Sequence, residues 1–373
     1  MKKIAFIGTK GFNFGEDAFG GFETVITELA PRLIKKDYDV TVYCRKKLYK
    51  TKTYPDKIDG VNLKFLGSIE TKNFGTLSNS FAAVLSAIKN KTDVVFFFNI
   101  GLGIYIPLLK LFGIKIVTNL DGIEWERSKW SKLAKMMFKT GAYFNVKMAD
   151  VLIADAEAIR KIYLDKFKRD SVVISYGAEL YDDIPFSLLE KYGVEQNNYY
   201  LLATRFIPEN YPKHVIKEFI KSNTGKQLIV LGKNYYGSEY ENSIKDISDP
   251  RVRFLGHIAN RKELLAFYRH SYCYIHGHSM GGTNPTMLEA MGNSCSIIAL
   301  DTVFNREMLQ DENYGLYFNL KTGNLTEKIN FIDKNPELVK EMKSKTTERI
   351  KNYYNWDLIE KKYFEMLTNL NVK

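Results

Sequence analysis

The sequence predicts an α/β protein with two successive domains, each built on a doubly wound sheet. Three observations support this prediction. The chain has 373 residues, which is too many for one hydrophobic core of ordinary size. Short apolar runs alternate with helical patterns, beginning with a strand, a glycine-rich loop, a helix and a second strand. After the polar run 179–198 the alternation starts again, which indicates a second domain of similar architecture.

The first domain opens with an apolar strand at 3–7 and a loop at 8–21 that contains five glycines. The loop lacks the GxGxxG pattern, and the second strand ends at Cys44 and Arg45 without an acidic residue, so an NAD site is disfavoured. Gly20 and Gly21 stand where the first helix begins, and there backbone N–H groups can approach a diphosphate closely. A flexible turn is the alternative.

Residue patterns also predict the other main elements. Apolar runs predict strands at 39–44, 61–66, 93–98, 114–118, 151–154, 172–175, 199–203, 227–232, 252–255, 271–275 and 296–300. Helical periodicity predicts helices at 22–36, 78–91, 104–112, 128–147, 212–222, 261–268 and 353–370. The segment 94–117 is apolar enough to suggest a membrane span, but glycines, a proline and polar residues interrupt it. We interpret it as a strand, a short helix and a strand.

Charge and cysteine content narrow the partners and the compartment. The chain has 54 basic and 43 acidic residues, and its net charge of +11 favours nucleic acid, an anionic membrane surface or phosphorylated substrates. The lysines are scattered and no nucleic-acid-binding module is recognised, so nucleic acid is disfavoured. Three cysteines lie far apart with no CxxC pattern, which predicts a reducing compartment. The apolar run at the N-terminus is too short for a signal-peptide core.

The helix 128–147 is basic and amphipathic. Lysines alternate along it with apolar residues, namely Lys129, Lys132, Lys135 and Lys139 with Trp130, Leu133, Met136, Met137 and Phe138. Such a helix can lie on an anionic bilayer. The alternative is a packed helix whose lysines form its solvated face.

The stretch 274–292 carries the most distinctive local pattern. Asn284 stands at an N-cap position with Pro285 at the first helical position, and the helix ends at Gly292. Gly281 and Gly282 allow backbone N–H groups to approach a ligand, and the helix start adds its positive dipole end. The pattern favours a phosphate site. The alternative is an ordinary strand-to-helix turn.

Charged and polar residues near other predicted strand ends are further candidates. Asp121 follows a strand end, where open α/β sheets bind ligands, and could act as a general base or orient a hydroxyl; a helix-capping aspartate is the alternative. Arg205 follows the strand 199–203 and suits a phosphate, with a plain surface arginine as the alternative. His276 and His278 lie where a strand gives way to a loop; no cluster completes a metal site, so polar contacts to a donor are favoured.

Four blocks of residues carry a family resemblance. They are Gly20-Gly21-Phe22-Glu23-Thr24, Asp121-Gly122-Ile123-Glu124-Trp125, Arg205 with Pro208-Glu209-Asn210, and the stretch from His276-Gly277-His278 to Glu289-Ala290-Met291. In order and over nearly the whole chain, they resemble the retaining glycosyltransferases of family 4, which have the GT-B fold. The nearest branch is similar to bacterial rhamnosyltransferases that build cell-surface polysaccharides.

The resemblance implies a fold and a domain division. It implies two facing Rossmann-like domains, with residues 1–180 as the acceptor domain and 181–352 as the nucleotide-sugar donor domain. It also implies that the last segment, 353–373, forms a helix that crosses back to the first domain. A nucleotide-sugar donor is implied as substrate, with no cofactor and no metal.

The resemblance also assigns roles to particular residues. Arg205 would neutralise the leaving diphosphate, Asp121 would orient or deprotonate the acceptor hydroxyl, and Glu209 would contact the donor. Glu289 would bind the pentose hydroxyl of the nucleotide. The remaining substrate-binding candidates are Gly20, Gly21, Glu124, Asn210, His276, His278, Gly282, Thr283 and Asn284.

Two positions depart from the wider family and narrow the assignment to the rhamnosyltransferase-like branch. Gly281 stands where the wider family has a glutamate, and Asn210 stands where it has a lysine. We therefore expect the backbone around Gly282 and Thr283, with the Asn284 side chain, to hold more of the donor.

The function expected from the resemblance is transfer of a sugar with retention, specifically L-rhamnose from dTDP-rhamnose, onto a lipid-linked saccharide. The alternatives are a hexosyltransferase that uses a UDP-sugar, a nucleotide-sugar epimerase of the same fold and, least favoured, a non-catalytic nucleic-acid binder. The expected location is cytoplasmic, with peripheral attachment to the inner face of the cytoplasmic membrane left open.

Overall fold

A computed structural model describes residues 1–15, 20–69, 74–120, 122, 125, 131–233 and 239–370. The chain divides into two compact units. One unit comprises Met1–Tyr176 together with Trp356–Lys373, and the other comprises Gly177–Asn355. We refer to them as the first and the second domain.

The first domain is built on a sheet in which the described residues form eight strands. The strands are β1 (Lys2–Ile7), β2 (Tyr38–Arg45), β3 (Lys57–Ile58), β4 (Val61–Leu66), β5 (Val94–Phe97), β6 (Lys115–Leu120), β7 (Val151–Ala154) and β8 (Val172–Val173). Their order across the sheet is β3-β4-β2-β1-β5-β6-β7-β8. Neighbours run parallel except for the short antiparallel pair β3–β4.

Helices connect the strands of the first domain. They are α1 (Phe22–Ile34), α2 (Gly75–Lys89), α3 (Ile106–Leu111), α4 (Lys132–Met148) and α5 (Glu157–Phe167), and α13 (Trp356–Asn369) returns to this domain from the end of the chain. The apolar segment 94–117 forms β5, a 3₁₀ turn, α3 and the first part of β6. This confirms the interpretation as a strand, a short helix and a strand. No helix among the described residues has both the length and the apolar character needed to cross a membrane.

The second domain has a fully parallel sheet of six strands in its described part. They are β9 (Tyr199–Ala203), β10 (Gln227–Leu231), β11 (Val252–Gly256), β12 (Cys273–His276), β13 (Ile297–Leu300) and β14 (Leu316–Phe318), in the order β11-β10-β9-β12-β13-β14. The helices are α6 (Pro212–Lys221), α7 (Glu239–Lys245), α8 (Arg261–His270), α9 (Pro285–Gly292), α10 (Val303–Leu309), α11 (Asn324–Lys334) and α12 (Pro336–Arg349). A π-helical turn at Ile350–Tyr354 precedes α13.

The core of each domain follows from the sheet type. Central strands of a parallel sheet are covered on both faces, so they are continuous apolar runs. All four residues of β5 are buried, and so are all five of β9. One core cluster of the second domain joins strand residues Leu202, Val230 and Ile298 to Phe219 of α6 and Ile329 of α11. The predicted α/β class with two parallel-sheet domains is confirmed.

Candidate functional site

The polar residues singled out in the second domain lie at one edge of its sheet. β9 and β12 are neighbours and run parallel, so their carboxyl ends meet at that edge. Arg205 and the short turn Pro208–Asn210 follow β9, and the loop 277–284 follows β12 and leads into α9. The loop carries His278, Gly282, Thr283 and Asn284, and His276 is the last residue of β12. This edge is the usual ligand-binding edge of an open α/β sheet.

The predicted start of α9 is confirmed. Asn284 is the N-cap, and its side-chain oxygen accepts hydrogen bonds from the Thr286 backbone N–H at 3.0 Å and from the Thr286 hydroxyl at 2.7 Å. Pro285 is the first helical residue. Gly281 has a φ of +112°, and in the part of the chain that the structure describes no atom lies within 4 Å of the position that a Cβ would occupy. The glycine is therefore needed for its backbone conformation, and the space beside it is open to a ligand.

His276 and His278 form a buried, stacked pair. Their ring centroids are 4.4 Å apart, with 20° between the planes. The Tyr274 hydroxyl lies 3.0 Å from His276 Nδ1, and the Thr204 hydroxyl lies 3.3 Å from His278 Nε2. The other ring nitrogens, His276 Nε2 and His278 Nδ1, are buried without a hydrogen-bond partner among the described residues. Two buried polar atoms in this state are costly unless a ligand or water supplies the partner.

Burial keeps both imidazoles neutral. It lowers the pKa of His276 well below its ordinary value, and the neighbouring His278 lowers it further. Burial, with the positive charge of Arg205, lowers the pKa of His278 to about 3. Arg205 directly follows Thr204, whose hydroxyl contacts His278, so the backbone of Arg205 lies beside the pair. The pair offers neutral hydrogen-bonding nitrogens beside a cation. The described residues contain no group of three potential metal ligands.

The Asn210 side chain is hydrogen-bonded to the residues that follow β9. It is buried, and its side-chain amide donates to the Thr204 hydroxyl at 2.9 Å and to the Arg205 carbonyl at 3.2 Å. A Cβ on Gly277 would lie 2.5 Å from the Asn210 carbonyl oxygen. The loop after β12 therefore packs so closely against the turn Pro208–Asn210 that only glycine fits at position 277. The backbone carbonyl of Glu209 accepts from the N–H and the hydroxyl of Ser279, at 3.1 and 2.8 Å. These contacts join the two loops that carry the candidates.

Glu289 forms an ion pair that the sequence patterns did not reveal. Arg261, the first residue of α8, donates to Glu289 Oε1 at 2.7 Å and to the Tyr181 hydroxyl at 2.9 Å. Because Arg261 and Glu289 are 28 residues apart, local periodicity could not pair them. One feature of the sequence could have indicated Arg261. It directly follows the loop after β11, and that loop also lies at the carboxyl edge of the sheet.

The first domain contributes a separate set of candidates. Gly21 is the N-cap of α1 with a φ of +64°, and no atom of the described residues lies within 4 Å of a Cβ built on Gly20 or Gly21. Glu23, in the first turn, is buried, and one of its carboxylate oxygens accepts from the Lys10 backbone N–H at 2.8 Å. Burial raises the pKa of Glu23. Asp121 and Glu124 lie outside the described residues.

Two family models match the chain, one in each domain. Residues 1–179 match a family described as a domain of unknown function (DUF1972). Residues 188–349 match the family of glycosyl transferases group 1. Among curated proteins, none matches the chain in sequence.

Solved structures are similar over nearly the full length. Sucrose-phosphate synthase from Thermosynechococcus elongatus has a TM-score of 0.80 at 17% identity, covering 99% of both chains. Anabaena HepE in complex with UDP-glucose has a TM-score of 0.78 at 15% identity, covering 99% of this chain and 100% of HepE. WaaG, a glycosyltransferase involved in lipopolysaccharide biosynthesis, has a TM-score of 0.69 at 14% identity, covering 96% and 98%.

The class of the molecule follows from these matches and the fold. The two parallel-sheet domains form the GT-B fold, and the second domain matches the glycosyl transferases group 1 family over residues 188–349. The chain is therefore an enzyme, a glycosyltransferase. The predicted fold and enzyme class are confirmed.

Proposed function

We propose that the protein transfers L-rhamnose from dTDP-rhamnose, with retention, onto a lipid-linked saccharide during assembly of a surface polysaccharide. One observation in the second domain carries this proposal. The charged Arg205, the neutral histidine pair and the start of α9 share the carboxyl edge of one sheet, in a domain of glycosyltransferase type. That combination suits a diphosphate with a sugar attached to it.

The donor roles follow from what each group can offer. Arg205 and backbone N–H groups near Gly282 and Thr283 would stabilise the charge that develops on the leaving diphosphate. The partnerless nitrogens His276 Nε2 and His278 Nδ1 would bond sugar hydroxyls or phosphate oxygens. Asn284 would add its side-chain amide, and Asn210 would act mainly by holding the turn that carries Glu209.

Glu289 would hold the pentose of the nucleotide. Arg261 occupies Oε1, so Oε2 is the oxygen that would accept from a pentose hydroxyl. A carboxylate oxygen has two lone pairs, so this contact suits the ribose of a UDP-sugar as well as the deoxyribose of a dTDP-sugar, and the choice of dTDP-rhamnose rests on the family resemblance at Asn210 and Gly281.

The transfer step then needs no residue that bonds covalently to the sugar. The bond between the anomeric carbon and the diphosphate oxygen breaks while the acceptor oxygen bonds to the same face of that carbon. The proton of the acceptor hydroxyl passes to the departing phosphate oxygen, and Asp121 would orient that hydroxyl. The first domain, with Gly20, Gly21, Asp121 and Glu124, would supply acceptor and phosphate contacts. No metal or other cofactor takes part in this scheme.

Replacement of Arg205 tests the donor site. Arg205→Ala removes a preorganised cation, so we expect kcat/KM to fall about 100- to 1000-fold, as for loss of one oxyanion-hole donor. The assay is nucleotide release from the donor with a synthetic lipid-linked acceptor. Arg160→Ala is the control, because Arg160 pairs with Asp170 and Glu157 on the surface of the first domain. Wild-type turnover in Arg205→Ala would contradict the assignment.

A panel of nucleotide-sugars separates the proposed donor from the second candidate. Transfer of a hexose from a UDP-sugar is supported by the structural similarity to HepE, which was solved with UDP-glucose. If UDP-glucose is consumed faster than dTDP-rhamnose with the same acceptor, the hexosyltransferase replaces the proposed activity. Conversion of a donor to its epimer without an acceptor would identify an epimerase.

A further inference from the structure

The second domain contains a cationic cavity at the edge of the sheet opposite the candidate donor site. Its lining residues are Asn197, Arg269, Tyr272, Ser294, Pro336, Val339, Lys340 and Lys343, and its volume is about 420 Å³. Asn197, Tyr272 and Ser294 lie just before the first residues of β9, β12 and β13. These three strands are adjacent in the sheet, so the cavity lies at their amino ends. We call it the amino-edge cavity.

Three cations line the amino-edge cavity. Lys343 donates to the side-chain oxygen of Asn197 at 2.6 Å and to the backbone carbonyl of Ser271 at 2.7 Å. Across the described parts of the chain, no carboxylate pairs with Lys343 or with Arg269. Lys340 pairs only with the exposed Glu337 of its own helix, a contact worth little in water.

The arrangement costs free energy unless an anion is present. Lys343 is half-buried and partnered by neutral oxygens, and burial lowers the pKa of its ammonium group. The positive charge of Arg269 lowers this pKa further, so the two cations repel each other across the cavity. Tyr272, Pro336 and Val339 supply apolar walls that reduce screening by water.

We propose that the amino-edge cavity binds a phosphate-bearing small molecule, distinct from the sugar donor, between Arg269, Lys340 and Lys343. The volume is in the range of small-molecule sites. Arg269 and the lysines hold the phosphate oxygens, and the side-chain N–H groups of Asn197 can donate at the same wall, whereas the Ser294 hydroxyl donates to the Lys343 backbone carbonyl. The apolar wall at Val339 and Tyr272 receives the organic part of the ligand.

Pyrophosphate is the probe for the test, measured by isothermal titration calorimetry on the full chain. Arg269→Gln should leave the fold intact, because the Arg269 guanidinium makes no hydrogen bond or ion pair with the described residues. Lys340→Glu reverses the charge at an exposed rim position. Both variants should weaken one class of pyrophosphate site at least tenfold, the loss expected for one hydrogen bond to a charged group. Lys345→Gln, on the same helix and paired with Glu341, should bind as wild type.

Arg205→Ala distinguishes the amino-edge cavity from the candidate donor site. This variant should leave unchanged the pyrophosphate affinity of the site that Arg269→Gln weakens. Unaltered pyrophosphate affinity and stoichiometry in both Arg269→Gln and Lys340→Glu would overturn the proposal. Vesicles of phosphatidylcholine with phosphatidylglycerol distinguish the source of the phosphate. Vesicle binding that Arg269→Gln abolishes, and pyrophosphate competes away, assigns the cavity to a lipid headgroup. Pyrophosphate binding with no such effect on vesicles assigns it to a soluble phosphate ester.

Discussion

At the scale of single residues, two buried histidines make the candidate donor site polar without adding charge. His276 and His278 stack on each other, and each has one hydrogen-bonded and one partnerless ring nitrogen. A protonated imidazole here would repel Arg205 and its neighbour. Because both imidazoles are neutral, the positive charge beside a bound diphosphate would come from Arg205.

This pair predicts loss of stability in acid. In the unfolded chain a histidine titrates near pH 6.5, whereas in the fold the pKa of His278 is lowered to about 3. As the pH falls below 6.5, His278 becomes protonated in the unfolded state but stays neutral in the folded state. The free energy of unfolding therefore falls. The slope is about 1.4 kcal/mol per pH unit for each such imidazole, or roughly 2 kcal/mol between pH 6.5 and 5. Above pH 6.5 this contribution is fully retained.

Urea unfolding at pH 7.5, 6.5, 5.5 and 5.0 measures the effect. The carboxylates that titrate in this range are common to wild type and His278→Gln, so they cancel in the difference between the two proteins. The variant should lose stability less steeply, by about one proton per molecule. Parallel pH dependences for the two proteins would show that folded His278 titrates normally.

At the scale of elements, the close approach of two loops holds the candidates together. Gly277→Ala would place a Cβ 2.5 Å from the Asn210 carbonyl oxygen and force the turn Pro208–Asn210 away from the end of β12. We expect the free energy of unfolding to fall by about 1–3 kcal/mol, the usual cost of overpacking, with a loss of activity because the turn carries Glu209. Urea unfolding and the donor assay measure the two effects.

Gly225→Ala is the matched control, because no atom lies within 4 Å of a Cβ built there. Stability of Gly277→Ala equal to that of Gly225→Ala would show that the contact between the loops is dispensable.

Helix α4 presents an exposed face that is both apolar and basic. Leu133, Met136 and Tyr143 are 67%, 60% and 58% exposed, and Lys132 and Lys139 are exposed beside them. Ala134, Phe138 and Ala142 are buried, so the helix packs by its other face. Exposed apolar side chains among lysines suit the surface of an anionic bilayer, and we propose that α4 is the contact in the peripheral attachment that the sequence left open.

Variants of α4 test this attachment with vesicles that contain anionic lipid. Each lysine near such a surface contributes about 1 kcal/mol, so Lys132→Gln with Lys139→Gln should weaken binding about 30-fold. Leu133→Ser with Met136→Ser should weaken it through loss of apolar burial. Phe331→Ser, at an exposed position of α11, is the control. Co-sedimentation that is equal in all variants would exclude α4 as the contact.

The sequence predicted what local patterns control. The cap at Asn284 and the strands other than β3 and β14 follow from nearby residues, and the structure confirms them. It did not predict the Arg261–Glu289 ion pair or the stacking of the two histidines, because tertiary packing creates both. β3 and β14 were missed because two or three residues carry too little pattern. Helices α5, α7, α10, α11 and α12 were also missed, although the buried Ile159 and Tyr163 of α5 have helical spacing.

At the scale of the whole molecule, the last helix completes the domain in which the chain began. Ile359, Tyr363 and Leu367 of α13 are buried, and the Tyr363 ring lies 6.4 Å from the ring of Phe96 in β5. Arg32 of α1 lies 5.6 Å from the Trp356 ring and pairs with Glu360 at 3.8 Å. The helix expected to cross back is thus part of the first domain, although it begins at Trp356 and not at Tyr353, because the π-helical turn comes first.

We therefore predict that residues 1–176 do not fold without α13. Removal of the helix exposes the apolar surface that three large side chains cover, at a cost of about 5–9 kcal/mol, which is comparable with the whole stability of an ordinary domain. Residues 1–176 joined to 356–373 by a glycine–serine linker should unfold cooperatively on heating, as followed by circular dichroism. The same fusion with Tyr363→Ser should have a lower Tm, since it loses one buried aromatic ring. Cooperative unfolding of 1–176 alone, at the Tm of the fusion, would show that the helix merely lies on a domain that is already complete.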